Sequence, residues 1–151
     1  MDFKVVGKVD INRIKEELSN KKVSSQFPLQ AGPESAVGTN YELRNDEQYY
    51  NQFIYNDMPY TKSVVEQFNL TRARIMKMVK GTAYGIHVDN TPRIHIPLES
   101  NENCIFIIDD IVHRMPADGS VYWVNTTKPH TAVNANTERF IRTHLMGNVT
   151  V

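Results

Sequence analysis

The segment GIHVDNTPRIHIPL at residues 85–98 predicts two short β-strands separated by a break. Its first part has His87 and Asp89 two positions apart. Side chains at positions i and i+2 of an extended strand point to the same side. One imidazole and one carboxylate are therefore predicted to converge on one spot. The pattern then breaks at Pro92.

A second strand is predicted directly after that proline. Within it, Ile94 and Ile96 fall on one face, whereas Arg93 and His95 fall on the other. The apolar face belongs against a core. An arginine and a histidine on an inward face of a β structure need a partner, because a buried charge is costly unless it is paired.

The second half of the chain alternates short apolar segments with clusters of turn-forming residues. The predicted strands are Thr82–Val88, Arg93–Leu98, Cys104–Asp109, Ile111–Met115, Ser120–Asn125, His130–Asn134 and Phe140–Met146. This regular spacing favours an all-β sandwich or barrel. A further strand is predicted at Arg72–Val79, and Asp109–Asp110 is predicted to be a solvated turn and not a metal site.

The first 70 residues are predicted to form helical and irregular support for a β core at 71–151. A strand is predicted at Phe3–Val9. Asp10 is a suitable N-cap for a helix that follows with apolar residues at helical spacing. The pattern Ser63-x-x-Glu66 matches a capping box and predicts a second short helix. Both helices are expected to pack against one sheet of the β core.

An aromatic cluster occurs in the same half of the chain. Its members are Tyr49, Tyr50, Phe53, Tyr55 and Tyr60. One interpretation is a satellite core whose hydroxyls reach water, and the other is one wall of a substrate pocket. The sequence leaves both open.

Composition limits the class of protein. At 151 residues the chain is long enough for one domain with a proper core. The formal net charge is zero, which argues against a general affinity for nucleic acid or for an anionic membrane. The single cysteine excludes an intramolecular disulfide framework and fits a reducing compartment. No apolar leader or membrane-span pattern is present, so we expect a soluble cytoplasmic protein of open oligomeric state.

A third candidate metal ligand, His130, follows a predicted turn far downstream of His87 and Asp89. Two imidazoles and one carboxylate have the composition of the 2-His-1-carboxylate facial triad, which binds Fe(II) and leaves coordination positions open. A lone His-x-Asp triplet is a weak signal. Its weight here comes from its combination with the other charged pairs of the predicted strands.

The pattern Arg-x-His occurs twice, at Arg93–His95 and at Arg142–His144. In each pair the two side chains share a face of a predicted strand. Two inward pairs of this kind near a divalent metal make an anion site, because a guanidinium binds a carboxylate through two parallel hydrogen bonds. A dicarboxylate cosubstrate could chelate the metal at one end and meet a guanidinium at the other.

Together these motifs make the second half resemble a double-stranded β-helix (cupin-like jelly roll) of the Fe(II)/2-oxoglutarate-dependent dioxygenases. Within that superfamily it is most similar to the aspartyl/asparaginyl β-hydroxylase-like group, which includes free-proline hydroxylases. The matching pieces are Gly85-x-His87-x-Asp89, Arg93-Ile94-His95-Ile96-Pro97-Leu98-x-x-Asn101, Gly119-Ser120-Val121-Tyr122-Trp123-Val124-Asn125, His130-x-x-x-Asn134 and Arg142-x-His144-Leu145. The resemblance implies an α+β, mainly β fold with the N-terminal helices packed on one sheet.

The resemblance also implies site roles. His87, Asp89 and His130 resemble the iron ligands and are the expected catalytic residues. Arg93 occupies the position of an arginine that binds 2-oxoglutarate, and His95 lies beside it. For the later arginine that binds the far carboxylate, Arg142 is preferred because Arg-x-His-Leu matches the family, and Arg139 is the fallback.

The implied reaction is hydroxylation of a C–H bond by Fe(II) and O2, coupled to conversion of 2-oxoglutarate to succinate and CO2. The short chain favours a small-molecule, amino-acid or short-peptide substrate. Candidate partners for a substrate carboxylate are Arg44, Arg72 and Arg74. Two alternatives remain: a non-catalytic cupin-like ligand-binding protein, and a cupin-type metalloenzyme without a cosubstrate.

Overall fold

The computed structural model describes residues 1–32 and 49–149. Its helices are α1 (Ile11–Leu18) and α2 (Pro59–Gln67). Its strands, in chain order, are β1 (Phe3–Lys8), β2 (Gln26–Pro28), β3 (Gln30–Ala31), β4 (Gln52–Phe53), β5 (Thr71–Met78), β6 (Thr82–Ala83), β7 (Arg93–Glu99), β8 (Cys104–Ile108), β9 (Ile111–His113), β10 (Ser120–Val124), β11 (His130–Asn134) and β12 (Arg142–Asn148).

Two antiparallel sheets dominate the described residues. The larger sheet has the strand order β1-β10-β7-β12-β5-β2, and the smaller has the order β6-β11-β8-β9. A short β3-β4 pair lies apart from both. The first 70 residues therefore supply both edge strands of the larger sheet, β1 and β2. The prediction of a mainly β, jelly-roll-like fold is confirmed.

Each face of the larger sheet buries a different apolar cluster. The helix-side cluster joins Ile14 and Val64 of the two helices to Ile94 and Ile96 of β7. Full burial of one such side chain stabilises the fold by about 1.5–3 kcal/mol. A second cluster, between the sheets, joins Phe106 of β8 to side chains of the larger sheet. The helices therefore cover one face of the larger sheet, and the smaller sheet covers the other.

Helix α1 begins as the sequence predicts. Asp10 has extended backbone angles, and its carboxylate accepts hydrogen bonds from the Asn12 and Arg13 amides. The helix then buries Ile14 and Leu18, which lie four residues apart on one face.

The capping box predicted at Ser63 and Glu66 is wrong. Helix α2 begins at Pro59, so Ser63 lies within it, and its hydroxyl donates to the Tyr60 carbonyl. A proline suits the first helical position because an N–H at that position has no intrahelical acceptor, so the absence of an N–H in proline loses no hydrogen bond. The capping-box pattern thus arose from an interior serine.

The cap of α2 comes instead from the other helix. The residue at the N-cap position, Met58, makes no side-chain hydrogen bond to the helix. Glu17 of α1 accepts hydrogen bonds from the Tyr60 and Thr61 amides and from the Thr61 hydroxyl. Burial alone would raise the pKa of Glu17, but these hydrogen bonds outweigh it and lower that pKa.

The β8–β9 hairpin contains the predicted turn. Asp109 and Asp110 both have positive φ, at 50° and 67°. Ile108 pairs with Ile111 across a two-residue loop, and positive φ at both loop residues is the type I′ arrangement that fits the twist of a hairpin. No metal cluster within the described residues includes this aspartate pair.

Three predicted strands differ from those observed by two residues or more. The strand predicted at Ile111–Met115 ends at His113, as β9. The last predicted strand, Phe140–Met146, is displaced by two residues, since β12 runs from Arg142 to Asn148, and the Phe140 carbonyl accepts a hydrogen bond from the Asn134 side chain. Of the predicted strand Thr82–Val88, only Thr82 and Ala83 form a strand, β6. The rest of that segment forms a single β-bridge, between His87 and His130.

The aromatic cluster belongs to the core. Phe53, Tyr55 and Tyr60 pack against the helix-side cluster, and Tyr50 is buried. The described lining of the cavity that contains His87, Asp89 and His130 includes none of these aromatic residues. The structure therefore favours the satellite-core interpretation. Neither described helix has the length or the apolar character to cross a membrane.

Candidate metal centre and its cavity

The segment after β6 runs beside β11 but contains one extra residue. The Tyr84 amide donates to the Ala132 carbonyl, and the next pairing joins His87 to His130. Three residue steps, from Tyr84 to His87, therefore lie opposite two residue steps of β11, from Ala132 to His130, as in a β-bulge. The irregularity, at Gly85 and its neighbour, explains why the predicted strand is broken.

His87 and His130 form a directly opposed backbone pair. Each amide donates to the other residue's carbonyl, at 3.1 and 3.0 Å. Opposed residues of an antiparallel pair project their side chains to the same face. The two imidazole centroids are accordingly 4.3 Å apart.

Asp89 completes the cluster from two residues beyond His87. Its carboxylate oxygens lie 3.8 Å from Nε2 of His87 and 3.3 Å from Nε2 of His130. The ligand atoms of the three residues all lie within 4.8 Å of one another. The convergence of these three candidate side chains agrees with the sequence-based prediction, and the cluster could hold a metal ion.

Both imidazoles are oriented by backbone carbonyl groups. Nδ1 of His87 lies 2.7 Å from the Gly85 carbonyl, and Nδ1 of His130 lies 2.9 Å from the Lys128 carbonyl. A hydrogen on each Nδ1 satisfies these contacts and leaves Nε2 as a bare nitrogen, the form that binds a metal.

Asp89 and His130 attract each other electrostatically. Burial alone would raise the pKa of Asp89, but the hydrogen bond from His130 and the charge of Arg93 lower it to about 2. Burial would lower the pKa of His130, and its hydrogen bond to Asp89 reverses that shift and raises it. Because a metal ligand must be deprotonated, metal binding here competes with a proton on His130.

Arg93 flanks the carboxylate. Its Nε lies 3.5 Å from Oδ2 of Asp89, and its Nη1 donates to the carbonyl and the hydroxyl of Thr91. The side chain is 5% exposed. Arg93 thus lies directly beside the candidate metal ligands.

The two candidates for the later arginine lie in different environments. Arg142 is 3% exposed and lines the cavity beside the His87, Asp89 and His130 cluster. Its Nε has no hydrogen-bond partner among the described residues, and burial lowers its pKa. Arg139 is exposed and is absent from the described lining of that cavity. Of the two, only Arg142 can therefore bind a ligand inside.

The cavity beside the cluster has a volume of about 370 Å³. It is lined by Gln26, Arg72, Arg74, Met76, Tyr84, His87, Asp89, Arg93, His95, Phe106, Thr126, His130, Ala132, Arg142 and Met146. Arg44 falls outside the described residues. The cavity therefore combines the candidate metal ligands with four arginines.

A family model described as aspartyl/asparaginyl beta-hydroxylase matches residues 8–150. The chain belongs to this family. The match confirms the resemblance drawn from the second half of the sequence and extends it over most of the first half. Membership in the aspartyl/asparaginyl β-hydroxylase family indicates hydroxylation as the type of reaction. A search of curated proteins returns no match.

The hydroxylase cavity also contains a residue that sequence reasoning missed. The ring of Phe106 stacks on His130, with centroids 5.7 Å apart, and meets His95 edge-on at 5.4 Å. Phe106 pairs with Ala132, two residues from His130, in the β8–β11 ladder. Strand alternation could have indicated its face, but its position beside the candidate ligand depends on a register that the sequence does not reveal.

Proposed function

We propose that the protein is an Fe(II)- and 2-oxoglutarate-dependent dioxygenase that hydroxylates a small molecule, amino acid or short peptide. The observation that carries the proposal is the convergence of His87, Asp89 and His130 at a cavity that also holds the buried cation of Arg142. Membership in a hydroxylase family supports the reaction type.

The donor set fits Fe(II). Two imidazole nitrogens and one carboxylate match the non-haem iron triad, and no cysteine takes part. His87 and His130 would bind through Nε2, because their Nδ1 atoms contact backbone carbonyls. When bound, Fe(II) supplies the open coordination positions and the redox chemistry that O2 activation requires.

The cationic residues fit a dicarboxylate cosubstrate. Arg142 would bind the carboxylate far from the metal, since its guanidinium lies buried in the cavity wall without an ion-pair partner among the described residues. Arg93 and His95 would contact the cosubstrate from the neighbouring strand β7. Arg139 is too exposed to share this role.

The primary substrate is proposed to be small and to carry a carboxylate. A cavity of about 370 Å³ lies near the lower end of the range for small-molecule sites. Arg72 and Arg74 line the same cavity on strand β5 and are the candidates for binding that carboxylate. Nη1 of Arg74 is oriented by the Arg72 carbonyl and by Asn148.

The decisive experiment measures succinate release. Anaerobically purified protein is supplied with Fe(II), 2-oxoglutarate and O2, and is screened over free amino acids and short peptides. We expect substrate-stimulated succinate formation that Asp89→Ala abolishes. Arg142→Met should remove it as well, whereas the matched variant Arg139→Met should retain it.

Two other outcomes would identify the alternatives. Ligand binding without any Fe(II)-dependent turnover of 2-oxoglutarate would indicate a non-catalytic cupin-like binding protein. Oxygen consumption that depends neither on 2-oxoglutarate nor on Arg142 would indicate a metalloenzyme without a cosubstrate.

A further inference from the structure

Behind the candidate metal cluster, two histidines form a buried pair. Nδ1 of His95 lies 3.0 Å from Nδ1 of His144, and the residues are 4% and 2% exposed. They lie on the neighbouring strands β7 and β12 of the larger sheet. His95 lines the cavity beside the metal cluster, whereas His144 is not among the described residues of that lining.

We expect both imidazoles to be neutral. Burial, followed by the positive charge of Arg142, lowers the pKa of each ring well below its usual value. A neutral imidazole carries one hydrogen, on either Nδ1 or Nε2. A hydrogen bond between the two Nδ1 atoms therefore requires opposite tautomers. One ring has its hydrogen on Nδ1, and the other has it on Nε2.

The surroundings of His144 favour one of the two arrangements. Its Nε2 is buried and has no hydrogen-bond partner among the described residues. His144 and Arg142 both line a small cavity of about 10 Å³, and the buried Nε of Arg142 also has no hydrogen-bond partner among the described residues. Because the positive charge of Arg142 acts on this ring, a bare Nε2 is favoured over an N–H that would have no acceptor among the described residues. The hydrogen of His144 therefore belongs on Nδ1.

We propose that His144 donates its Nδ1 hydrogen to His95 and thereby holds His95 as an Nε2–H donor for an oxygen of the bound anion. With Nδ1 of His95 occupied by His144, Nε2 is the ring nitrogen left for a ligand. His144 is thus a positioning residue that acts through His95. Where the anion is 2-oxoglutarate, this inference rests on the proposed function.

The reverse arrangement would oppose anion binding. His95 would then present a lone pair to a ligand oxygen, in a cavity whose arginines attract that same anion. With His144 as donor, His95 and Arg142 both present N–H groups to the ligand. The Nε2 of a neutral His95 could be either a donor or an acceptor, and the hydrogen bond from His144 makes it a donor.

The first test reads the tautomers directly in the metal-free full-length chain. Two-bond ¹H–¹⁵N correlation spectra distinguish protonated from bare ring nitrogens, with the histidines assigned through the backbone. We expect a protonated Nδ1 on His144 and a protonated Nε2 on His95. The opposite assignment, or a doubly protonated ring, would overturn the proposal.

The second test compares two variants of His144. In His144→Asn the side-chain amide can still donate near the position of Nδ1, whereas His144→Leu has similar bulk and no donor. With Mn(II)-loaded protein, calorimetry should give 2-oxoglutarate binding about tenfold weaker for His144→Leu and within about threefold of the parent for His144→Asn. In turnover, KM for 2-oxoglutarate should rise more than kcat falls.

Equal losses in both variants, or no loss in either, would refute the positioning role. The outcome is also separable from that of the proposed function. The expected tautomers in a chain that never converts 2-oxoglutarate would support the histidine pair and refute the dioxygenase assignment.

Discussion

Replacing Arg142 with methionine should stabilise the ligand-free protein while it removes 2-oxoglutarate binding. Arg142 is 3% exposed and has no ion-pair partner among the described residues, so folding desolvates a charge with little compensation. Replacing a buried ion pair with apolar groups of similar size is often neutral or stabilises a protein by about 1–4 kcal/mol, and a buried charge without an ion-pair partner lacks even the attraction within such a pair. Because the cavity is polar, we expect about 1–3 kcal/mol. For a chain of this size, that corresponds to a melting temperature raised by roughly 3–10 °C.

The same change should sharply weaken cosubstrate binding. A bidentate contact between a guanidinium and a carboxylate comprises two charge-assisted hydrogen bonds, each worth about 1.5–3 kcal/mol. Losing both costs about 3–6 kcal/mol, which is roughly a hundredfold to ten-thousandfold in Kd. Stability and binding are therefore expected to move in opposite directions at this one residue.

Two measurements and one control test this reasoning. Calorimetric melting of the metal-free protein gives the stability, and titration of Mn(II)-loaded protein with 2-oxoglutarate gives the Kd. The control, Arg139→Met, lies at an exposed position and should change stability by less than about 0.5 kcal/mol and leave the Kd unchanged. A destabilised Arg142→Met that still binds 2-oxoglutarate would refute the assignment of Arg142 as the cosubstrate-binding arginine. Loss of binding in Arg139→Met would assign that role to Arg139 instead.

Three further predictions concern the metal, a helix cap and a turn. Mn(II) at about 100 times its Kd should stabilise the parent by about 2.7 kcal/mol in thermal melts, and the same concentration should not stabilise Asp89→Ala. Glu17→Gln should cost about 1–2 kcal/mol at pH 7 in urea denaturation. Because folding lowers the pKa of Glu17, this difference should persist above its unfolded pKa and vanish as the pH falls through the folded one; a difference independent of pH would contradict this. Gly119→Ala, with φ at +91° and a new Cβ 2.6 Å from the Val9 carbonyl, should cost about 2–4 kcal/mol by calorimetry. Gly81→Ala, with φ at +71° and no atom within 4 Å, should cost only about 1 kcal/mol.

Strand alternation made much of the site predictable. His87 and Asp89, and likewise Arg93 and His95, share a face because they are two residues apart. No local rule brings His130 to them, since the meeting depends on the register of two segments more than forty residues apart. The resemblance to a known family supplied that pairing. The same alternation favoured Arg142 over Arg139, and the burial of Arg142 agrees with this preference.

The features that the sequence did not predict depend on tertiary contacts. Ser63 and Glu66 have the spacing of a capping box, but Glu17 of the other helix already binds the amides at the start of α2. The extra residue before His87 breaks a predicted strand, and nothing in its alternating pattern signals that break. The start of α2 depends on a contact from another helix, and the position of the extra residue appears only in the pairing with β11, so neither could be predicted from the local pattern alone.

The two imidazoles of the metal cluster are anchored unequally. His130 lies within a continuous strand with its side chain 5% exposed, whereas the side chain of His87 is 47% exposed and its segment pairs only intermittently. The neighbours of His87, Ile86 and Val88, are 74% and 59% exposed, so apolar packing adds little to hold them. A metal ion would therefore link the segment that contains His87 to strand β11 of the smaller sheet. Loss of the ion should begin with release of His87. Retention of the metal ion and entry to the cavity would then be governed by the same short segment, whose amide hydrogen exchange should slow when the ion is bound.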